Sequence, residues 1–226
     1  MRMRRKTNLE PRLEKCAHLM AARPESLRGR WLERHILNGV PDGPLFEELH
    51  IELGCGKGLF AVETAKREPD VLFVALEKVS NVIVIALERT VQEGLQNLWY
   101  INGLVDNLTS FFAESEVARI YINFCDPWPS RRHIKRRLTE RRFLEIYRQV
   151  LRPDGEIHFK TDDFPLFEFS LNEFKQCGFV LLDTFRNLHK GGPVGVMTDY
   201  EMKFYAQGTP VYSCTVRKAD QACIEV

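Results

Sequence analysis

A run of alternating glycines follows a short strand-like run at residues 49–53, and an acid precedes the glycines. Residues 52–58 read ELGCGKG, and we call residues 54–58 the glycine turn. Glycines at alternate positions let the backbone turn sharply and let a ligand approach the main chain. A dinucleotide fingerprint would need a glycine at position 59, which is Leu59, and the Glu52 carboxylate would repel its pyrophosphate. The pattern therefore predicts a nucleotide-type ligand that is not a dinucleotide.

A second acid, Glu77, follows the next predicted strand, residues 71–76, and lies 25 residues after Glu52. A carboxylate at this place can accept hydrogen bonds from both hydroxyls of a ribose, as an acid does in dinucleotide folds. Each feature alone also has a plain structural explanation. A glycine-rich turn can have the purely structural role of allowing a sharp backbone bend, and an acid at a strand end is often simply solvated. Their occurrence together in one β-α-β unit favours a nucleotide-type cofactor.

A tryptophan flanked by prolines follows the fourth predicted strand. Residues 124–130 read FCDPWPS, and we call them the DPWP loop. Asp126 can accept a hydrogen bond from an incoming base, and the ring of Trp128 offers a flat surface for stacking. Pro127 and Pro129 stiffen the loop, because proline fixes φ and lacks an N–H donor. Simple packing of the loop is the alternative explanation for Trp128.

A local excess of positive charge begins directly after this loop. Residues 131–142 hold seven Lys or Arg and one acid, in a chain whose formal net charge is +1. A charge run is usually a solvated face, but its place beside a predicted substrate loop favours binding of RNA phosphates. We call residues 131–137 the basic segment. Weaker signals are Asp162, at the end of the fifth predicted strand, and residues 198–201, which precede the predicted last strand.

Short β-rich runs alternate with helical runs along most of the chain. Strands are predicted at 49–53, 71–76, 98–102, 118–124 and 156–161, and helices at 79–95, 139–151 and 165–178. Thr139 and Pro165 mark helix starts, and residues 179–184 and 202–206 are expected to form a final antiparallel pair. This order predicts an α/β fold of the Rossmann-like class: a mostly parallel seven-stranded sheet with helices on both faces and an antiparallel last strand. Ligands of such sheets bind beyond the carboxyl ends of the strands.

Length and composition limit the class of protein. The 226 residues, 44% of them apolar, suit one domain over 1–226, with residues 1–45 as a basic N-terminal extension. No apolar run approaches the roughly 20 residues of a membrane span, and no apolar segment of a signal peptide follows the basic N-terminus. Six cysteines lack C-x-x-C spacing, which predicts free thiols rather than a zinc site. We expect a cytoplasmic protein with no bound metal and no membrane association.

Taken together, these segments resemble the bacterial tRNA (guanine-N7)-methyltransferases, a family of class I AdoMet-dependent methyltransferases. The resemblance rests on the opening MRMR, IELGCGKG, Glu77, DPWPSRRHIKRRL, HFKTDD and MTDYEMKF. It implies transfer of a methyl group from S-adenosyl-L-methionine (AdoMet) to N7 of guanine 46 in the variable loop of tRNA, by a monomer or homodimer. In the E-x-G-x-G-x-G motif of class I methyltransferases, the acid, here Glu52, would neutralise the ammonium group of AdoMet.

The resemblance also implies a role for each matching residue. The implied cofactor-binding residues are Glu52, Gly54, Gly56, Gly58, Glu77, Asn102, Leu104 and Asp126. The implied substrate-binding residues are Ser130, Arg131, Asp162, Thr198, Asp199, Tyr200 and Glu201. The implied RNA-binding residues are Arg132, His133, Lys135, Arg136 and Arg137. The chain departs from the family at Ser130, where a lysine is common, so that contact is lost or passes to Arg131. It also departs at Leu104, where an acid often contacts the adenine, which leaves that contact to the main chain or Asn102.

The implied chemistry is a direct methyl transfer. Guanine N7 carries an in-plane lone pair, so the enzyme must mainly align it with the methyl group for in-line displacement. We assign Asp126 and Asp162 the catalytic role of stabilising the positive charge that develops on the guanine. Three other interpretations stay open: a class I methyltransferase of a small molecule or protein, an RNA-binding protein with a degenerate AdoMet fold, and a nicotinamide oxidoreductase. A methyltransferase of a small molecule or protein would give the basic segment no purpose. A degenerate RNA-binding protein conflicts with the intact Glu52, and the glycine spacing disfavours a nicotinamide oxidoreductase.

Overall fold

The computed structural model describes residues 8–33 and 46–219. The chain divides into two compact units, Met1–Phe112 and Ala113–Val226. The expectation of one domain over 1–226 stays a prediction. Of the predicted basic extension, residues 1–7 and 34–45 lie outside the described residues.

Among its described residues, the first unit has three parallel strands with the helices that follow them. The strands are β1 (Glu48–Leu53), β2 (Val71–Leu76) and β3 (Leu98–Ile101), and they lie side by side in the order β3-β2-β1. Helix α2 (Leu59–Arg67) follows β1, α3 (Ser80–Glu93) follows β2, and α4 (Leu108–Phe111) follows β3. Strands β2 and β3 are almost wholly buried, as expected for parallel strands covered on both faces. The predicted elements of this unit are confirmed to within two residues at each end.

The described part of the N-terminal segment packs onto this first unit. It contains helix α1 (Leu9–Lys15) and two short 3-10 turns, Ala17–Leu19 and Pro24–Leu27. The Trp31 side chain is fully buried, and its indole N–H donates to a main-chain oxygen of α4 at 2.9 Å. The Arg12 guanidinium makes two hydrogen bonds to the Glu88 carboxylate, at 2.6 and 2.7 Å. The N–H of Ala21 donates to a main-chain oxygen of β3 at 2.9 Å, so this segment covers the outer side of β3.

The described part of the second unit, up to residue 219, contains four strands and three α-helices. The strands are β4 (Val117–Asn123), β5 (Leu151–Thr161), β6 (Phe179–Phe185) and β7 (Tyr212–Lys218), in the order β4-β5-β7-β6. The helices are α5 (Arg141–Val150), α6 (Phe164–Gln176) and α7 (Asp199–Ala206). Strands β4 and β5 are parallel, whereas β7 is antiparallel to both of its neighbours. The seven strands form the mixed, mostly parallel Rossmann-like sheet that the sequence predicts, with an antiparallel last strand.

Each unit has its own apolar core beneath its strands. In the first unit Ile51 and Val74 are fully buried, as is Ile83 of α3. In the second unit the ring of Phe159 on β5 stacks on Phe167 of α6, with ring centroids 6.4 Å apart. Burial of such aliphatic and aromatic side chains is the main favourable contribution to folding. Within each unit, this packing holds the strands in place and therefore fixes the positions of their carboxyl ends.

The prediction of a strand at residues 202–206 is wrong. These residues belong to α7, and the strand that pairs antiparallel with β6 is β7, ten residues later. The physical reason lies at the start of α7. The Thr198 hydroxyl accepts from the N–H of Glu201, and the Glu201 carboxylate accepts from the N–H of Thr198. This capping box starts a helix and overrides the short apolar run that suggests a strand.

The predicted N-cap at Thr139 is also wrong. Helix α5 begins at Arg141, and Glu140 is its N-cap, accepting from the N–H of Arg142 at 3.1 Å. Thr139 is fully buried, and its hydroxyl shares a hydrogen bond of 2.7 Å with Ser170 of α6. The threonine therefore joins two helices instead of capping one. The prediction of Pro165 at the start of α6 is confirmed, with Asp163 as the N-cap.

The described helices are short. The longest of them, α3, has 14 residues, and none of those in the described ranges combines the length and apolar character that crossing a membrane requires. Nor do residues 8–33 and 46–219 contain a group of three or more His, Cys, Asp or Glu side chains that could hold a metal ion.

Candidate active site

The glycine turn begins directly after β1, and its three glycines have different surroundings. Gly54, Gly56 and Gly58 all have positive φ, at +78°, +57° and +78°. A Cβ atom added to Gly54 or Gly56 would meet nothing within 4 Å. The backbone at these two positions therefore faces open space that a ligand could enter. A Cβ on Gly58 would lie 2.5 Å from the Ala86 Cβ, so this glycine serves the contact between the start of α2 and helix α3.

Glu77, which follows β2, joins the glycine turn to the start of α3. One oxygen of its carboxylate accepts from the N–H of Gly56 at 3.2 Å, and the other accepts from the N–H of Val79 at 2.9 Å. The side chain is half-buried. A carboxylate oxygen can accept more than one hydrogen bond, so both oxygens retain the capacity to bind a ribose hydroxyl. The structure thus brings the two sequence signals, the glycine turn and Glu77, into direct contact.

Asn102 and Leu104 follow β3 next to Glu77. The Asn102 amide donates to the main-chain oxygen of Glu77 at 2.7 Å, and its carbonyl oxygen accepts from the Ser80 hydroxyl at 2.8 Å. The Leu104 side chain is 51% exposed. The side-chain amide of Asn102 is therefore already engaged in joining the end of β3 to Glu77 and Ser80. A ligand that approaches the end of β3 would meet the main chain around residue 103 and the apolar Leu104 side chain.

Glu52 gives the glycine turn a negative electrostatic environment. It is the next-to-last residue of β1 and only 2% exposed. Its charge acts on Cys55 inside the turn, where burial raises the pKa of the thiol well above its usual value and Glu52 and Glu77 raise it further. Two carboxylates beside an open backbone would attract a cationic ligand and repel a phosphate. Binding of the cofactor by Glu52 and Glu77 stays a prediction.

The DPWP loop lies in the second unit and turns without glycine. Phe124 and Trp128 both have positive φ, at +50° and +43°. Such a conformation costs a residue with a Cβ about 1–2 kcal/mol, so the surrounding structure must hold the loop. The N–H of Phe124 donates to the Lys160 oxygen at 2.8 Å, which extends the pairing of β4 and β5 into the loop. Asp126, between the two strained positions, is exposed.

Trp128 is half-buried and contacts two residues of the basic segment. The Arg136 guanidinium lies over its ring, 4.9 Å from the centroid, and the His133 ring meets it edge-on at 5.5 Å. A cation over an indole face is a favourable cation–π contact. The contact occupies part of the ring surface that the sequence predicts as a stacking platform. On the face that Arg136 covers, a base could stack on Trp128 only beside the guanidinium or after displacing it.

The basic segment forms a 3-10 helix, Arg131–Arg136, directly after the DPWP loop. Its predicted RNA-binding side chains differ in burial. Arg132, Lys135 and Arg136 are exposed and His133 is half-buried, whereas Arg137 is only 8% exposed. Four of the five residues thus face solvent at least partly, and Arg137 points inward.

Asp162 and Asp126 follow neighbouring parallel strands of the second unit. Asn123 at the end of β4 pairs with Lys160 near the end of β5, so both acids emerge at the same edge. Asp162 is exposed, whereas the next residue, Asp163, uses its carboxylate to cap α6 at the N–H of Leu166. The two adjacent aspartates therefore differ in role: Asp163 is half-buried and caps α6, whereas Asp162 is exposed.

The predicted substrate-binding residues 198–201 start helix α7. Glu201 is fully buried, and its carboxylate accepts from Lys160 Nζ at 2.9 Å and pairs with His189 Nε2 at 2.9 Å. His189 Nδ1 accepts from the N–H of Val194, so in the neutral ring Nε2 carries the proton. Sequence reasoning missed His189, because a single histidine in a glycine-rich stretch carries no signal. The network anchors the segment next to Asp162, while Tyr200 is 63% exposed.

The predicted site residues therefore form two groups. The first unit holds the glycine turn, Glu52, Glu77, Asn102 and Leu104 at the carboxyl ends of β1, β2 and β3. The second unit holds Asp126, the basic segment, Asp162 and residues 198–201. The first group suits a cationic nucleoside ligand, and the second combines accessible acids with a cationic surface.

This fold and the acidic glycine turn define a Rossmann-like methyltransferase. The family model described as "Putative methyltransferase" matches residues 47–214. Among solved structures, the 16S rRNA methyltransferase KamB superposes with a TM-score of 0.58 at 17% identity, covering 77% of this chain and 89% of that one. A variant of the 16S rRNA (adenine(1408)-N(1))-methyltransferase from Catenulisporales acidiphilia, determined with its cosubstrate SAM, gives a TM-score of 0.57 at 12% identity, covering 78% and 88%. At these identities the likeness concerns the fold alone.

Sequence relatives define the family within this class. A protein of Geobacillus thermodenitrificans (strain NG80-2) named tRNA (guanine-N(7)-)-methyltransferase is 45% identical over 222 residues, covering 98% of this chain and 99% of that protein. Proteins of the same name from Geobacillus kaustophilus (strain HTA426) and Geobacillus sp. (strain WCH70) are 45% and 44% identical, each covering at least 95% of both chains. The chain belongs to the tRNA (guanine-N(7)-)-methyltransferase family.

Proposed function

We propose that this protein transfers a methyl group from AdoMet to N7 of guanine in tRNA, at position 46 of the variable loop. The observation that carries the proposal is the glycine turn, whose backbone is open at Gly54 and Gly56, follows the buried Glu52 and donates a hydrogen bond to the Glu77 carboxylate. The printed names of the relatives supply the tRNA and the guanine N7. The resemblance of the DPWP loop and the basic segment to the family supplies position 46. The activity belongs in the cytoplasm.

The residues of the first unit fit AdoMet. AdoMet supplies a methyl group bound to a positively charged sulfur. Buried Glu52 provides negative charge for the ammonium group of the methionine part, and the Glu77 oxygens accept from the ribose hydroxyls. Gly54 and Gly56 leave room for the ligand beside the main chain. Asn102 is engaged with Glu77, so we assign the adenine contact to the main chain at residues 102–104 and the exposed Leu104 side chain.

The residues of the second unit hold and polarise the guanine. Its N7 carries a lone pair in the ring plane, so no side chain has to remove a proton from it. Asp126 and Asp162 accept hydrogen bonds from the N1 and N2 edge of the base and stabilise the positive charge that develops on the ring. Both carboxylates are exposed and therefore accessible to a base. Asp126 also belongs to the proposed cofactor-binding set.

The remaining predicted residues position the tRNA. Ser130 and Arg131 take the place of the lysine contact that is common in the family, and Thr198, Asp199 and Tyr200 line the guanine from α7. Glu201 supports that segment from inside through Lys160 and His189. Arg132, His133, Lys135 and Arg136 neutralise phosphates of the variable-loop region. Such contacts make binding weaker as the salt concentration rises, by roughly one unit of logarithmic slope per contact.

Incubation with labelled AdoMet and an unmodified tRNA transcript tests the proposal. We expect label in one guanine, mapped to position 46 by mass spectrometry of nuclease fragments. The matched control is the same tRNA with 7-deazaguanine at position 46, which lacks the N7 atom and should take up no label. Label in another base, or label transferred in the absence of RNA, would contradict the proposal. Calorimetry with AdoMet alone separates loss of cofactor binding from loss of tRNA recognition.

A further inference from the structure

Arg137 differs from the other cations of the basic segment. It ends the segment, and 8% of the residue is exposed, whereas its neighbours Lys135 and Arg136 are exposed. A guanidinium that binds a phosphate of a large RNA must reach the protein surface. The burial of Arg137 therefore indicates a role other than phosphate binding.

The Arg137 guanidinium binds the main chain of the DPWP loop. Its Nε donates to the Pro127 oxygen at 2.9 Å, and one of its Nη atoms donates to the Trp128 oxygen at 3.4 Å. The other side of the contact is the Phe169 ring of α6, whose centroid lies 4.5 Å from the guanidinium carbon. The planar guanidinium has several donors in fixed directions and stacks well on an aromatic face. It can thus join two consecutive carbonyl groups to α6, which a lysine ammonium cannot do in the same way.

The DPWP loop needs an external support of this kind. Phe124 and Trp128 hold left-handed backbone conformations without being glycine, and such conformations persist only where the surroundings impose them. The two carbonyl groups that Arg137 binds belong to the residues directly after Asp126. Holding them fixes both the direction of the Asp126 carboxylate and the placement of the Trp128 ring.

We infer that Arg137 is a positioning residue, which holds Asp126 and Trp128 in place through the Pro127 and Trp128 carbonyl groups and makes no contact with tRNA phosphate. The inference rests on the proposed function and assigns one residue of the predicted RNA-binding set to a different task. It separates two neighbouring arginines: Arg136 faces solvent over the Trp128 ring, and Arg137 supports the loop from inside.

Steady-state kinetics with tRNA and the salt dependence of tRNA binding test this assignment. For Arg137→Ala we expect kcat to fall at least about tenfold, while the salt slope of tRNA binding stays at the wild-type value. Arg137→Lys keeps the charge but should not restore kcat. Arg132→Ala, which removes an exposed cation of the same segment, is the matched control. It should raise KM for tRNA and lower the slope by roughly one unit. A slope lowered in Arg137→Ala, with kcat near wild type, would overturn the inference.

Tryptophan fluorescence tests the support of the loop without any activity. Trp31 and Trp99 are 0% and 6% exposed, whereas Trp128 is half-buried, so acrylamide quenching reports mainly on Trp128. We expect stronger quenching in Arg137→Ala than in the wild type and no change in Arg132→Ala, with Trp128→Phe identifying the signal. Equal quenching in Arg137→Ala and the wild type would contradict the inference. If the wild type does not methylate tRNA, the proposed function fails, and the quenching comparison still decides the role of Arg137.

A second variant guards against unfolding of Arg137→Ala. Phe169→Leu keeps the arginine and removes the ring on which it stacks. We expect smaller changes in the same direction, namely increased quenching and a lower kcat with an unchanged salt slope. A Phe169→Leu variant that matches the wild type in both measurements, in a protein shown by circular dichroism to be folded, would count against the inference.

Discussion

The glycine turn and the DPWP loop both contain backbone bends with positive φ, but different residue types adopt these conformations in the two segments. Both follow a parallel strand, and both contain residues with positive φ. In the glycine turn every such position is a glycine, so the bend costs no steric strain. In the DPWP loop Phe124 and Trp128 take these positions, and Arg137 holds the loop through two carbonyl groups. The positive φ angles of the first bend thus suit the residues that adopt them, whereas those of the second depend on side chains elsewhere in the chain, namely Arg137 and, behind it, Phe169.

The difference matches the tasks that we propose for the two bends. A cofactor turn must let a ligand approach the backbone, and side chains there would be in the way. A substrate loop must present particular side chains, an acid and an aromatic ring, in one direction. A rigid support behind the loop meets that need without placing glycines where the chemistry requires side chains. The following variants test this contrast.

The largest effect is expected for Gly58→Ala, with Gly54→Ala as its matched control. The two glycines have the same φ of +78°, but a Cβ on Gly58 would lie 2.5 Å from the Ala86 Cβ and 2.9 Å from its Cα, whereas a Cβ on Gly54 meets nothing. We expect Gly58→Ala to lower the free energy of unfolding by about 3–5 kcal/mol and Gly54→Ala by about 1–2 kcal/mol. Urea denaturation measures both, and equal losses would show that packing against α3 does not distinguish the two positions.

Glu201→Gln should have the next largest effect and tests how far the second unit depends on buried charge. The substitution leaves Lys160 and His189 without a buried carboxylate. We expect a loss of about 3 kcal/mol in the free energy of unfolding. Met202→Ala, at the neighbouring and 46% exposed position, should cost no more than about 0.5 kcal/mol. In a double-mutant cycle with Lys160→Met, additive losses would mean that the ion pair contributes nothing.

Asp162→Ala separates the chemistry of the second unit from the cofactor binding of the first. We expect turnover to fall about 100-fold, because one of the two groups that stabilise charge on the guanine is removed. AdoMet affinity, measured by calorimetry, should stay within about twofold of the wild type. Asp183→Ala, which removes an exposed aspartate on β6, serves as the matched control. Near-normal turnover in Asp162→Ala would rule out the catalytic assignment.

The smallest effect concerns the cysteines that both bends contain. Burial and then the neighbouring Asp126 raise the pKa of the Cys125 thiol to about 12. Only the thiolate reacts with iodoacetamide, so Cys125 should react slowly at pH 8 and about tenfold faster per pH unit as the pH rises toward this pKa. Asp126→Asn removes the smaller cause and should lower the pKa, which speeds alkylation at fixed pH. Cys55, whose pKa is raised by burial, Glu52 and Glu77, is the internal comparison in mass spectrometry.

The contrast also explains what the sequence predicts well. Strands β2 and β3 of the first unit are continuous apolar runs, a pattern that parallel strands buried on both faces require. The glycine turn and Glu77 can be predicted from the sequence because the signal lies in the residue types themselves and in their spacing. The second unit is harder. The apolar run at 202–206 is too short to separate strand from helix, and the capping box of Thr198 and Glu201 decides in favour of α7.

Long-range contacts account for the remaining differences. A run of cations predicts a charged surface, but nothing in the run indicates that Arg137 turns inward, because its partners are main-chain oxygens and a ring from α6. His189 escapes notice for a similar reason, since its partner Glu201 lies 12 residues away in another element. Thr139 looks like a helix cap, yet its hydroxyl finds Ser170. Local patterns carry no information about such partners.

The packing of residues 8–33 onto the first unit has a consequence for truncated versions of the protein. Deleting them would leave the cavity that Trp31 fills empty and would expose the flank of β3, where the Tyr100 oxygen now accepts a hydrogen bond from the N–H of Ala21. An uncovered strand flank invites pairing with other chains, and a vacated indole slot costs about 3–5 kcal/mol. Shortened versions that start near β1 should therefore precipitate on purification, even though every residue of the glycine turn is still present.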